Sequence, residues 1–265
     1  MKFEKGYYDT PVESKRCIWD ILCFNTRLYF YLKFLHIIIK TRKVVKQGRF
    51  DSAEYCKTSD NTFKLLENCG AKIHIRGLEN IAKVNGPVVF ISNHMSILET
   101  FILPGLIIPY KPVSFVVKES LVTHSFFGGV MRATHPIAVT RTDPRKDFKT
   151  VMTGGQELIS QGRSIIVFPQ STRGDFGARE YGSIGNKLAQ RTDVSVIPVA
   201  LKTDFWGNGK WIKDFGRINR KKEIYIEFGE PLADGGEKKQ RHNLTVQSIE
   251  TKLREFFIKQ IIPCQ

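Results

Sequence analysis

Residues 88–102 read VVFISNHMSILETFI. The apolar run at 88–91 has the pattern of a strand buried on both faces. Ser92, Asn93 and His94 interrupt it before Ile97, Leu98, Phe101 and Ile102 resume at helical spacing. The pattern predicts a strand, a short polar loop and a helix, with His94 where the strand gives way. In open α/β sheets ligands bind at such strand ends, because irregular loops there stand on a rigid base. Glu99 lies five positions after His94, and at about 100° per residue the two would point roughly 140° apart inside one helix. They meet only if His94 precedes the first full turn. In that arrangement the carboxylate accepts a hydrogen bond from one imidazole nitrogen, which fixes the tautomer and leaves the other nitrogen as a base.

Working outward, strand-like segments recur at 72–76, 113–117, 136–140, 164–168, 194–201 and 224–228. Helical patterns lie between several of them, notably 147–160, stopped by Gly162, and 181–191. A last amphipathic helix at 245–262 presents Ile249, Leu253, Phe256 and Phe257 on one side. Strands alternating with helices predict an α/β fold: a mainly parallel mixed sheet flanked by helices. Two further strand ends carry chemistry. The segment at 136–140 delivers Arg141, and the one at 164–168 runs into Pro169, Gln170, Ser171, Thr172, Arg173 and Gly174. A guanidinium there can grip a phosphate through two parallel charge-assisted hydrogen bonds, with the hydroxyls adding neutral ones. Two arginines at matching positions beside a histidine at a third predict one convergent site.

Ahead of the sheet, 17–39 is aromatic and aliphatic and approaches the length of about 20 residues that spans a bilayer. Asp20, Asn25, Arg27, Lys33 and His36 interrupt it, and Lys40, Arg42, Lys43 and Lys46 flank its end. These charges argue against a spanning helix. The basic flank and the recurring Tyr and Trp favour a helix lying in the headgroup region over a core helix packed on the main domain. A second helix at 52–68, closed by Gly70, completes an N-terminal helical hairpin. The expected organisation is a membrane-associating hairpin at 1–70 and an α/β domain at 71–265.

The 265 residues, 42% hydrophobic and 25% charged, have the composition of a folded globular protein rather than a disordered one. Lys and Arg number 41 against 26 Asp and Glu, a formal charge of +15. Such an excess attracts polyanions: nucleic acid, an anionic leaflet, or phosphate-bearing substrates. The basic residues are scattered and no recognisable nucleic-acid motif appears, so nucleic acid is not expected as a partner. The cysteines, Cys17, Cys23, Cys56, Cys69 and Cys264, are odd in number and form no Cys-x-x-Cys pair, the pattern of reduced residues without a zinc site. Glu4, Asp9 and Glu13 break the N-terminus where a signal peptide would be cationic and then apolar, so the chain is expected on the cytoplasmic side.

Together these segments resemble the glycerolipid acyltransferases of the 1-acyl-sn-glycerol-3-phosphate acyltransferase type. Their first motif, Asn-His, four residues and an acid, is similar to 93–99, with Asn93, His94 and Glu99 at its fixed positions. Their second ends a strand with an arginine, as 137–141 does at Arg141. The third, Phe-Pro-Glu-Gly-Thr-Arg, is similar to Phe168, Pro169, Gln170, Ser171, Thr172 and Arg173. The fourth, an apolar strand around a proline, is similar to 196–200 around Pro198. Order and spacing agree over about 88–201, and the hairpin resembles the membrane-docking element of short bacterial members. Glu99 stands where most members have aspartate, while Gln170 and Ser171 replace glutamate and glycine.

The resemblance implies that His94, oriented by Glu99, removes the proton from an acceptor hydroxyl whose oxygen attacks the thioester of acyl-CoA or acyl carrier protein. No serine or cysteine nucleophile fits the motifs, so direct transfer without an acyl-enzyme, metal or cofactor is implied. Arg141 and Arg173 would hold the acceptor phosphate with Thr172 assisting, and Asn93, Gln170 and Ser171 would complete the substrate-binding set. The implied reaction acylates the sn-2 hydroxyl of lysophosphatidate to give phosphatidate, at an anionic surface on the cytoplasmic face of the inner membrane. Gln170 keeps other acceptors open: glycerol 3-phosphate, another lysophospholipid or a lyso-ornithine lipid. The non-enzyme alternative is a basic membrane- or nucleic-acid-binding protein.

Overall fold

The computed structural model describes residues 6–24, 26–170, 172–174, 181–233 and 238–261. Along them run strands β1 (Tyr8–Asp9), β2 (Ile73–Arg76), β3 (Val89–Ser92), β4 (Val113–Lys118), β5 (Ile137–Val139), β6 (Ser164–Val167), β7 (Val196–Lys202) and β8 (Ile224–Phe228). The helices are α1 (Ile18–Leu22), α2 (Leu28–Lys46), α3 (Ser52–Asn68), α4 (Glu79–Ala82), α5 (Leu98–Ile107), α6 (Glu119–Thr123), α7 (Gly128–Ala133), α8 (Pro144–Ser160), α9 (Ile184–Arg191) and α10 (Lys238–Ile261).

All eight strands form one sheet in the order β1-β2-β8-β7-β3-β6-β4-β5. From β7 to β5 every pairing is parallel, so five strand C-termini open on the same edge of the sheet. Next to β7 the direction reverses at β8, which pairs in parallel with β2, and β1 closes the far side antiparallel. Central position explains composition here. Every residue of β3, β6 and β7 is buried, as expected for strands covered on both faces, which read as apolar runs instead of alternating.

Along β3, Phe90 enters one core with Phe30, Phe34, Phe63, Leu66, Ile102 and Trp206, whereas Val89 and Ile91 enter the other with Val151, Leu188, Ile249 and Leu253. The first face is therefore covered by α2, α3 and α5, and the second by α8, α9 and α10. Gly185 lets α9 settle on β3: a Cβ there would stand 2.9 Å from the Ile91 side chain. Local signals start two of the longer helices. Asp51 caps α3 by accepting from Glu54 N–H at 2.9 Å, and Asp143 caps α8 by accepting from Arg145 and Lys146 N–H, each at 3.0 Å.

The helical hairpin expected in front of the sheet is present, but it shares the sheet's core. Phe34 packs edge-on against Phe101 at 4.8 Å and Trp206 at 4.9 Å, and β1 adds to the sheet itself, so residue 70 marks no boundary between cores. The apolar segment at 17–39 is divided. It turns at Phe24, whose φ is +54°, separating α1 from α2, and α2 runs on to Lys46. Asp20 is fully buried, paired with Arg16 and with Arg220 at 2.7 Å, and thereby ties α1 to the chain after β7. Helix α2 has a buried and an exposed face. Tyr29, Phe30, Phe34 and Ile38 turn inward, while Leu28, Leu32, Leu35 and Ile39 stay exposed, as do Ile18, Trp19, Leu22 and Phe24 in and after α1. Among the described residues no helix is long and apolar enough to cross a membrane.

Candidate active site

The loop between β3 and α5 holds His94 and is fastened at nearly every residue. Asn93 is buried and both halves of its amide engage Leu201 of β7: Nδ2 donates to the carbonyl at 2.7 Å and Oδ1 accepts from the N–H at 2.8 Å. This locks the end of β3 to its neighbour before the chain turns. The N–H of His94 donates to Gln170 Oε1 at 2.7 Å, and the His94 carbonyl accepts from Gly174 N–H at 3.0 Å, so the segment after β6 grips the histidine's own peptide groups. One residue on, the Met95 carbonyl accepts from Asn208 Nδ2 at 2.7 Å.

Helix α5 begins only at Leu98, so His94 lies ahead of the first turn and meets Glu99. Nδ1 stands 2.5 Å from Glu99 Oε2. The other carboxylate oxygen, Oε1, accepts from Met95 N–H and Ser96 N–H, each at 2.8 Å, and from Thr203 Oγ at 2.5 Å. Glu99 is fully buried, and these donors compensate a carboxylate that would otherwise be costly to remove from water. With Nδ1 donating to Glu99, Nε2 is the imidazole's basic nitrogen. Phe168, just beyond β6, stacks on the ring at 4.2 Å and 18°, fixing its plane. Position, tautomer and ring plane are thus all set by groups around the histidine.

The arginines approach the same edge. Arg141 follows β5 with φ +63°, a conformation that side chains rarely adopt. Asp147 of α8 stabilises the turn by accepting from Thr140 N–H at 2.8 Å, Thr140 Oγ at 2.9 Å and Arg141 N–H at 2.6 Å. Burial pushes the Asp147 carboxyl up, but these hydrogen bonds outweigh it and hold the group below its usual value. Partial desolvation, and behind it the charge of Arg173, lower the Arg141 guanidinium from its ordinary value against the pull of Asp147. Arg173 Nη2 pairs with Asp214 at 2.5 Å, and its Nη1 is buried with no hydrogen-bond partner among the described residues. Thr172 Oγ accepts from Lys213 Nζ at 2.8 Å.

The structure thus joins His94 to Glu99 and Gln170 by hydrogen bonds, with Asn93 preceding it in the chain, and Thr172 and Arg173 lie on the segment after β6 whose Gly174 also bonds His94. Asn93 spends its amide on the Leu201 backbone of β7, and Gln170 spends its carbonyl oxygen on the N–H of His94. Ser171 lies outside the described residues. Sequence reasoning did not single out Thr203, Asn208, Lys213 and Asp214, all on the chain leaving β7, or Phe168 as the histidine's stacking partner. Among the described residues no group of His, Cys, Asp and Glu is placed to hold a metal ion.

Residues 72–202, just under half of the chain, match the family model described as Acyltransferase. Its relatives include the 1-acyl-sn-glycerol-3-phosphate acyltransferase of Pseudomonas aeruginosa, 34% identical over 56% of this chain and 57% of the relative. The enzyme of the same name from Borreliella burgdorferi is 31% identical over 62% of this chain and 63% of the relative. The chain thus spans less than two thirds of the length of these relatives. Among solved structures, the 1-acyl-sn-glycerophosphate (LPA) acyltransferase PlsC from Thermotoga maritima superposes with a TM-score of 0.67 at 18% identity, covering 90% of this chain and 96% of that one. That likeness shows a shared fold, in which an α/β sheet flanked by helices follows an N-terminal helical region.

Proposed function

We propose that the protein is an acyltransferase that moves an acyl chain from acyl-CoA or acyl carrier protein to the sn-2 hydroxyl of lysophosphatidate, producing phosphatidate. The observation that carries the reading is the buried pair of His94 and Glu99 in the first motif of an acyltransferase-family domain. Nε2 takes the hydroxyl proton as the oxygen attacks the thioester carbonyl, and the imidazolium so formed is stabilised by Glu99. The tetrahedral intermediate then collapses with loss of the thiolate, which recovers the proton from the imidazolium, so His94 acts first as base and then as acid. Met95 N–H and Ser96 N–H hold Oε1 of Glu99, which keeps Oε2 facing Nδ1 of His94.

An acceptor phosphate is matched to the cations on the same edge. Nη1 of Arg173, without a hydrogen-bond partner among the described residues, supplies a donor, and Arg141, past the end of parallel strand β5, adds a second cation on the same edge of the sheet. The net charge of +15 suits both acyl carriers, which are acidic. Water-insoluble acceptors require a surface, and the exposed apolar row on α1 and α2, interspersed with Lys33, Lys40 and Lys43, supports peripheral binding to the anionic cytoplasmic leaflet.

Replacement of the family's glutamate by Gln170 bears on the acceptor less than its place in the motif implies. The side chain offers Oε1 to His94 N–H, a role either residue can fill, so lysophosphatidate is favoured over the other acceptors. The test presents purified protein in mixed micelles with each donor and with lysophosphatidate, glycerol 3-phosphate, lyso-ornithine lipid and neutral lysophospholipids, and reads products by mass spectrometry. Phosphatidate as the main product is the expected result. Preferred acylation of any other acceptor, glycerol 3-phosphate included, would refute the acceptor assignment.

A further inference from the structure

The chain between β7 and β8 leaves the sheet as a loop, 207–217, whose base is closed by hydrogen bonds. Gly207 N–H donates to the Arg217 carbonyl at 3.0 Å, Gly209 N–H to that of Lys213 at 3.0 Å, and Trp206 and Ile218 bridge beneath. Gly216 is required by this closure, since a Cβ there would collide with the Gly207 backbone. The loop is therefore built, yet its tip holds Trp211 at 93% exposure beside Ile212 and Phe215, at 60% and 52%. Large apolar side chains presented together by an ordered loop mark a contact surface, and tryptophan is the residue most at home between water and lipid.

Three further observations identify the occupant. The loop is continuous with the exposed row of α1 and α2: Phe215 stacks on Tyr31 of α2 at 5.2 Å, its carbonyl accepts from Arg27 at 2.7 Å, and Tyr31 Oη donates to the Gly216 carbonyl at 2.7 Å. Exposed Lys210, Lys213 and Arg217 surround the apolar tip, and the loop's one acid, Asp214, is neutralised by Arg173. A basic rim around aromatic and aliphatic residues fits an anionic bilayer. Finally, the loop also reaches the site, through Asp214 on Arg173 and Lys213 on Thr172.

We infer that loop 207–217 is a second lipid-binding element, which inserts Trp211 and Ile212 into the same leaflet as α1 and α2 and ties that insertion to the arginine reserved for the acceptor phosphate. This rests on the acyltransferase reading for the second half of its claim, not for the first. Of the three tryptophans, Trp206 is buried, so in a Trp19→Phe background the exposed emission belongs to Trp211.

The full chain is mixed with vesicles of phosphatidylglycerol and phosphatidylcholine in equal parts, with and without brominated acyl chains. Insertion predicts a blue shift and bromine quenching, and about tenfold weaker partitioning for Trp211→Ala. Co-sedimentation with unchanged, unquenched emission overturns the loop's role while leaving α1 and α2 as the membrane element. No co-sedimentation at all overturns both. The coupling is read separately. Trp211→Ala should lose most turnover on vesicle-borne lysophosphatidate and keep it on a short-chain lysophosphatidate dissolved as monomers. Equal loss on both acceptors would show that the loop merely supports the site, and would overturn the coupling.

Discussion

Replacing Glu99 with glutamine separates the orienting role of this residue from its packing. The two carboxylate oxygens do different work: Oε1 accepts from Met95 N–H, Ser96 N–H and Thr203 Oγ, while Oε2 faces only His94 Nδ1. An amide placed with its oxygen at Oε1 keeps the first three bonds. Its NH2 then points at Nδ1, which must accept, and the imidazole proton moves to Nε2. The ring remains in place but its outward nitrogen is no longer a base. Weakening the hydrogen bonds from charge-assisted to neutral costs about 1–3 kcal/mol of stability. Loss of general-base catalysis costs about 10²–10⁴ in turnover, equivalent to roughly 3–5 kcal/mol at 1.36 kcal/mol per decade. The assay is kcat at saturating donor and acceptor, run beside thermal denaturation. A Glu99→Gln protein that folds and keeps more than about a tenth of wild-type turnover would refute the tautomer argument, since a misdirected proton costs at least 10² on that scale.

Asn93→Ala removes two buried hydrogen bonds and strands the Leu201 peptide groups, so it should destabilise the fold by about 2–4 kcal/mol, read as a lowered denaturation midpoint. Gln170→Glu keeps an acceptor for His94 N–H and should hold kcat within a few-fold, whereas Gln170→Leu leaves that donor unpaired and should lower kcat by tenfold or more, about 1.4 kcal/mol. The Asp147 carboxyl lies below its ordinary value in the folded chain. Its contribution to stability is therefore complete above about pH 4 and lost as pH falls through the depressed folded value. The stability difference between wild type and Asp147→Asn should be flat from neutrality to about pH 5 and shrink below about pH 4. The same variant, with the Arg141 turn loosened, should raise the acceptor KM more than it lowers kcat.

How far these features can be read from sequence follows from how locally each is determined. The central strands stand out because burial on both faces makes them nearly continuous apolar runs, and the limits read from that pattern fall within two residues of those observed for β3 and β6. The meeting of His94 and Glu99 is also local, because a five-residue spacing that fails inside a helix works across its start. Thr203 contacts the same carboxylate from 104 positions away, and Asp214 reaches Arg173 across 41, distances that only the pairing of β7 with β3 and the path of the following loop can close. β1 escapes because two residues carry no periodicity. Segment 17–39 posed a different difficulty. Its apolar residues serve both the core and an exposed face, and composition alone does not divide them; the turn at Phe24 and the buried charge of Asp20 do.

The central claim is that His94 Nε2 is the base for direct transfer. The most direct test follows a single turnover of labelled acyl-CoA and lysophosphatidate by wild type and His94→Ala, the folding of each checked by thermal denaturation. Phosphatidate formed by the wild type without a labelled acyl-protein, and slowed by about 10²–10⁴-fold in the variant, is the predicted result. Label trapped on the protein, or product formed by His94→Ala at a rate near that of the wild type, would contradict it.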